Sequence, residues 1–147
     1  MVCNYRIDKT LRIAYFSYTG DIRIEDIGSC FKRFLNDRDS TDCNRIVTNL
    51  TNADLSGITN EELERLVMNI EENRSRLKQI SIAYVAPLDL QYGVMRVWLA
   101  IINDDLFKTA RLFRSHEQAL LWINGLEQTS PSRGKSHNEV KQMHSFF

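Results

Sequence analysis

The stretch NLTNADLSGITNEEL, residues 49–63, joins an apolar run to a helical pattern and carries Ser56, Gly57 and Thr59. A hydroxyl in such a place could accept a phosphate. The anion would sit near a helix N-terminus, where free amides and the helix dipole favour negative charge. Tyr92 and Arg96, four residues apart in YGVMR (92–96), share one face near the start of a later helix. Ligands of open α/β sheets usually sit beyond the carboxyl ends of the strands. Asp54, Ser56, Thr59, Tyr92 and Arg96 therefore make up the candidate ligand or switch loop, able to frame a small anion.

Each of these residues also has a plainer use. Thr59-Asn60-Glu61-Glu62 has the T-x-x-E form of a capping box, worth about 1 kcal/mol. Ser115-His116-Glu117-Gln118 repeats the device before the last helix. Asp89, just after Pro87, is placed to cap a helix. Gly57 is expected to supply a backbone angle that other residues reach at a cost. Tyr92 then simply packs, and Arg96 answers a carboxylate such as Asp89.

Other chemistry is sparse. His116, His137 and His144 have no ligand partners at metal-binding spacing, and no G-x-S-x-G, P-loop or G-x-G-x-x-G occurs. Neither catalysis nor a cofactor or metal is expected. The Lys32-Arg33 pair and the Arg74, Arg76, Lys78 group are interleaved with acids, as on solvated helix faces. Nineteen basic residues balance nineteen acidic ones, which argues against a nucleic-acid partner. Three cysteines, Cys3, Cys30 and Cys43, are an odd number without a C-x-x-C pair, so reduced thiols and a cytoplasmic location are expected. No apolar run approaches the ~20 residues of a membrane span.

The elements that must hold these residues read in order. CNYRID (3–8) and LRIAYFSY (11–18) form a hairpin about Asp8-Lys9-Thr10, the second strand apolar on both faces as in a sheet covered on both sides. A helix comes next over about 24–36, with Ile24, Ile27, Phe31, Phe34 and Leu35 on one stripe. RIVTNL (45–50) is a strand and 61–77 a helix. QISIAYVA (79–86) is a buried strand and 90–102 a helix. ARLFR (110–114) is the last strand and 116–124 the last helix, with Gly125 placed to cap it. The fold class is α/β, in the order β-β-α-β-α-β-α-β-α, with a mostly parallel sheet, an antiparallel first strand and flanking helices. One domain spans 1–125. Residues 126–147 read as a flexible polar tail that nevertheless places Val140, Met143 and Phe147 on one face.

The 90–102 helix is apolar nearly all round, through Val94, Met95, Val97, Trp98, Leu99, Ile101 and Ile102. One face belongs to the sheet, and a second would need a neighbouring element, a partner subunit or a ligand to cover it. Met95, Trp98, Leu99 and Ile102 are the candidate interface of a homodimer.

RIVTNLTNADLSGITNEEL, ISIAYVAPLDLQYGVMRVW and RLFRSHEQALLWI, taken in this order, resemble the SpoIIAA-like (STAS/SEC14 domain-containing) family over residues 4–125. The resemblance implies a STAS-type topology and a non-catalytic regulatory or protein-interaction module. The SEC14 side of the family implies instead a binder or carrier of a lipid or other small apolar ligand. In the anti-sigma-factor antagonists of the wider group, a kinase phosphorylates a serine at the start of the helix after the third strand. The corresponding stretch here is Asp54–Thr59, where Leu55 stands in place of the serine expected before Ser56.

Overall fold

Alternation in CNYRID sends Tyr5 and Ile7 to one side of the first strand and Asn4 and Arg6 to the other. In the computed structural model, which describes residues 2–103 and 105–126, this strand is β1 (Cys3–Asp8). It pairs antiparallel with β2 (Ile13–Asp21), through a turn in which Asp8 accepts from the amides of Leu11 and Arg12. The chain continues through α1 (Ile24–Leu35), β3 (Arg45–Asp54), α2 (Asn60–Ile70), a single-turn α3 (Arg74–Leu77) and β4 (Ser81–Val85). It closes with α4 (Asp89–Ile102), β5 (Thr109–Phe113) and α5 (His116–Gly125). The molecule is thus an α/β fold with a five-stranded mixed sheet in the order β1-β2-β3-β4-β5, parallel from β2 onward. Val140, Met143, Phe147, His137 and His144 lie outside the described residues.

Strands laid down in sequential order, with crossovers of one hand, put every crossover helix on the same face of the sheet. One core accordingly joins that face to α1, α2, α3 and α4 through Phe31, Phe34, Leu63, Leu66, Leu77, Met95 and Trp98. Among the described residues only α5 reaches the other face, where Ala119 and Ile123 close on Ile13, Val47, Ala83 and Val85. The expectation that both faces of β2 are at least partly buried holds over residues 13–16, where Ile13 is buried on the α5 side and Ala14 on the other. Phe16 is buried against the α1 side, while Tyr15 is half-buried and Ser17 exposed on the α5 side. A single helix, about 10 Å across, is too narrow to roof five strands spaced about 4.8 Å apart.

Two corrections concern the chain's ties. The helix read over 61–77 breaks after Ile70 into a 3₁₀ turn and the short α3. Leu77 thereby enters the core while the Arg76 guanidinium turns back to the carbonyls of Ser40 and Cys43 and the side chain of Asn44. Arg76 is thus a structural clamp, where a solvated face was expected. The cysteines, expected as reduced thiols, include a disulfide between Cys3 of β1 and Cys30 of α1, and Cys43 alone is free and buried. The pairing is invisible in spacing because a strand and a helix 27 residues apart bring the two sulfurs together. Among the described residues no helix is long and apolar enough to cross a membrane.

A crosslink closing a loop of this length stabilises by about 3 kcal/mol. Replacing both Cys3 and Cys30 with alanine should lower unfolding free energy in denaturant by that order. Intact mass after alkylation without reductant should show a single modified thiol at most.

Candidate functional site

The carboxyl ends of the parallel strands carry the loops in which the candidate residues lie. β3 runs four residues past the RIVTNL segment to Asp54, so the first part of NLTNADLSGITNEEL is strand. Asp54 then turns the chain by accepting from the Ser56 amide at 3.0 Å. The Ser56 hydroxyl and amide together hold the Asp54 carboxylate below its ordinary pKa range. Thr59 is the N-cap of α2. The Glu62 amide donates to its hydroxyl at 3.1 Å, and the Thr59 amide donates to the Glu62 carboxylate at 2.9 Å. The capping box is formed as expected, and the Thr59 amide is the main cause of a lowered Glu62 pKa.

These bonds bear on a phosphoswitch. A phosphate on Ser56 would meet the Asp54 carboxylate that its own amide and hydroxyl now serve, and one on Thr59 would displace Glu62. Like charges at such range oppose the modification. Gly57 does not supply the angle expected of it: Gly20, at the end of β2 with φ +83°, is the glycine in the left-handed region. Gly125 likewise takes no left-handed cap, being the last residue of α5. That conformation falls instead to Asn103, φ 47°, at the end of α4.

Tyr92 and Arg96 are not drawn into the same cluster as Ser56 and Thr59. The Arg114 guanidinium, just past β5, lies 4.1 Å from the Tyr92 ring centroid and donates to Asp89 Oδ1 at 2.6 Å. Asp89 is therefore answered by Arg114 in place of Arg96, which is exposed on the outer side of α4. Nor is Asp89 the helix cap. Leu88 holds that position, and its amide donates to the Gln91 side chain.

Gln91 escaped the sequence reading altogether. It is buried, and its Nε2 donates to the carbonyls of Thr51 and Ala53 at 3.1 and 3.0 Å. The register explains why. β4 ends at Val85 opposite Asn49, so the last residues of β3 have no strand on that side. The Gln91 amide stands in for the missing ladder, beside the irregularity in β2–β3 pairing after Ser17. A glutamine opening a helix after a short strand is the only signal the sequence carried.

The candidate interface also resolves differently. Met95, Trp98 and Ile102 lie in the core at 4–7% exposure, and the Trp98 indole donates to the buried Tyr84 hydroxyl at 3.0 Å. They are spoken for by the sheet and offer nothing to a partner in this arrangement. Leu99 is half-buried, as are Val94, Val97 and Ile101, all packed against the same core. The outward line of α4 reads Asp89, Gly93, Arg96, Ala100, all exposed and none of them strongly apolar. The apparent second apolar face was the pair of flanks, which meet neighbouring structure.

Two spaces remain. A partly open cavity of about 50 Å³ lies between sheet and helices, lined by Tyr18, Phe31, Leu66, Tyr84, Met95 and Trp98 among others. It has room for a few waters at most, against roughly 300 Å³ at the small end of ligand sites. A groove of about 390 Å³ opens on the other face, over β1 and β2 beside α5. Among the described residues no group of His, Cys, Asp or Glu could hold a metal ion. Compared with known proteins, the chain matches no family model and no curated sequence.

Thr59→Ala should cost about 1 kcal/mol. By removing the hydroxyl's smaller share it should raise the Glu62 pKa only slightly, the amide's larger share being kept, as followed by ¹³C NMR. Because the folded pKa values of Asp54 and Glu62 are lowered, their contribution is present above the ordinary carboxylate range and lost as pH falls through the folded values. Gln91→Leu, which strands three backbone groups, should cost about 2 kcal/mol or more in chemical denaturation.

Proposed function

We propose that the chain is a non-catalytic interaction module of SpoIIAA-like, STAS-type architecture that meets a protein partner with the loops at the carboxyl end of its sheet. The observation that carries this reading is a pair of exposed leucines in the β4–α4 connection. Leu88 and Leu90 are 60% and 53% exposed, while the residues around them are fastened. Arg114 bonds Asp89 between them and lies over Tyr92, and Gln91 ties the helix start to β3. Two apolar side chains held out by a rigid, charged frame suit the centre of a small contact with a polar rim.

Self-association into a homodimer is the simplest form of such a contact. It would use Leu88 and Leu90, where the sequence pointed to Met95, Trp98, Leu99 and Ile102. The strand order and the placement of the crossover helices are in keeping with a STAS-type domain. The loop Asp54–Thr59 serves this reading as a capped, ordered shoulder of the contact, and no phosphate is required there. A carrier of a lipid would have to part α4 from the sheet, since the cavity beside Met95 and Trp98 is only about 50 Å³.

Native mass spectrometry of the detergent-free protein tests both readings together. A dimer at bare polypeptide mass is expected, shifting to monomer in Leu88→Asp/Leu90→Asp without loss of the circular dichroism spectrum. A monomer in the unmodified protein would sink self-association. An adduct of lipid size, lost on denaturation, would replace the interaction reading with the carrier.

A further inference from the structure

The groove beside α5 is built on strands, and the register decides what it presents. Asn4 pairs with Ser17 and Ser17 with Asn49, so three short polar side chains form one row across three neighbouring strands. In the next row Arg6 pairs with Tyr15, and His116 of α5 stands among the lining residues. No residue that lines the groove is an acid. Its volume of about 390 Å³ falls within the roughly 300–1,000 Å³ of small-molecule sites.

The bonds already made settle what the row has left to offer. The Asn49 carbonyl oxygen accepts from the Thr51 amide at 2.9 Å and from the Thr51 hydroxyl at 2.6 Å. Its amide nitrogen is the group still to be served, and that group only donates. Arg6 is held against the sheet, its guanidinium carbon 4.3 Å from the Tyr15 ring centroid. Among the described residues no carboxylate answers it. Asp8, next on this face of β1, accepts from the Leu11 amide in the turn. Arg74 and Arg114, by contrast, each meet carboxylates. A positioned guanidinium beside a donor amide, in a groove without acids, selects an acceptor that carries negative charge. One such cation suits a single negative charge, and a carboxylate can take two parallel bonds from it.

We propose that this groove binds a small organic carboxylate, its anionic group on Arg6 and its other polar atoms along Asn4, Ser17 and Asn49. The strands fix the row, so the donors need little ordering when the ligand arrives. None of the lining residues belongs to the β4–α4 connection, so the site is independent of the contact at Leu88 and Leu90.

The test is a titration of the ¹⁵N-labelled full chain with benzoate, with benzamide as its uncharged match and inorganic phosphate as a second anion. Amide signals of Asn4, Arg6, Ser17, Asn49 and His116 should shift with benzoate and saturate, and should stay in place with benzamide. Arg6→Gln should weaken benzoate about tenfold. Arg111→Gln removes the arginine that lies over Phe113 and Trp122 at the opposite edge of the sheet, and should leave the affinity unchanged. Asn49→Asp, which replaces the donor with a negative charge, should abolish the shifts while the rest of the spectrum stays in place. Shifts that never saturate, an equal response to benzamide, or equal weakening by the two arginine variants would overturn the proposal. Tighter binding of phosphate than of benzoate would overturn the assignment to a carboxylate.

Discussion

Strand order governs this molecule. Because β2, β3, β4 and β5 succeed one another across the sheet, their crossovers all fall on one side, and α1, α2, α3 and α4 bury that face in a continuous core. Cover for the other face has to come from the chain beyond β5. Among the described residues a helix of ten residues lies there, over β3 and β4, and leaves most of the β1–β2 half uncovered. Nearly everything distinctive about the surface stems from this asymmetry. It accounts for the polar alternation of β1, the half-buried Tyr15, the groove and the position from which the chain leaves α5.

The α5 helix on the second face is held by more than apolar contact. Arg45, buried at the start of β3, reaches carbonyls at the end of α5 and in the β1–β2 turn. Burial lowers its pKa, though an arginine so placed stays charged through the physiological range. A charge in this position is favourable only because backbone oxygens surround it. Removing it would leave those oxygens unserved and free one end of α5. On the first face, Arg76 does similar work for the segment 40–44, and the Cys3–Cys30 disulfide for the edge strand. Each tie secures a place where the regular hydrogen-bond ladder stops.

The same economy shapes the loops at the carboxyl end. Asp54, Ser56, Thr59, Glu62, Asp89, Gln91 and Arg114 could all have been chemistry, and each is bonded into a turn, a cap or a clamp. The side chains these bonds leave standing out are apolar, at Leu88 and Leu90. A surface of that kind recognises by shape and desolvation, and a rigid frame lowers the ordering cost of the contact.

The sequence by itself determined most of the elements, their order and the antiparallel first strand, but not the break of the second helix after Ile70. Apolar periodicity, the T-x-x-E and S-x-x-Q boxes and the short hairpin turn are all local signals, and helices and strands form where local spacing supports them. Tertiary structure alone decided the rest, since it depends on which distant groups meet. Cys3 found Cys30 because β1 lies beside α1, Arg114 took Asp89 from Arg96 because β5 ends next to α4, and Gln91 became a strand's substitute because β4 stops short. The apolar girdle of α4 looked like an interface because a helix read alone shows its core stripe and its two flanks as one surface. Only the packed neighbours tell them apart.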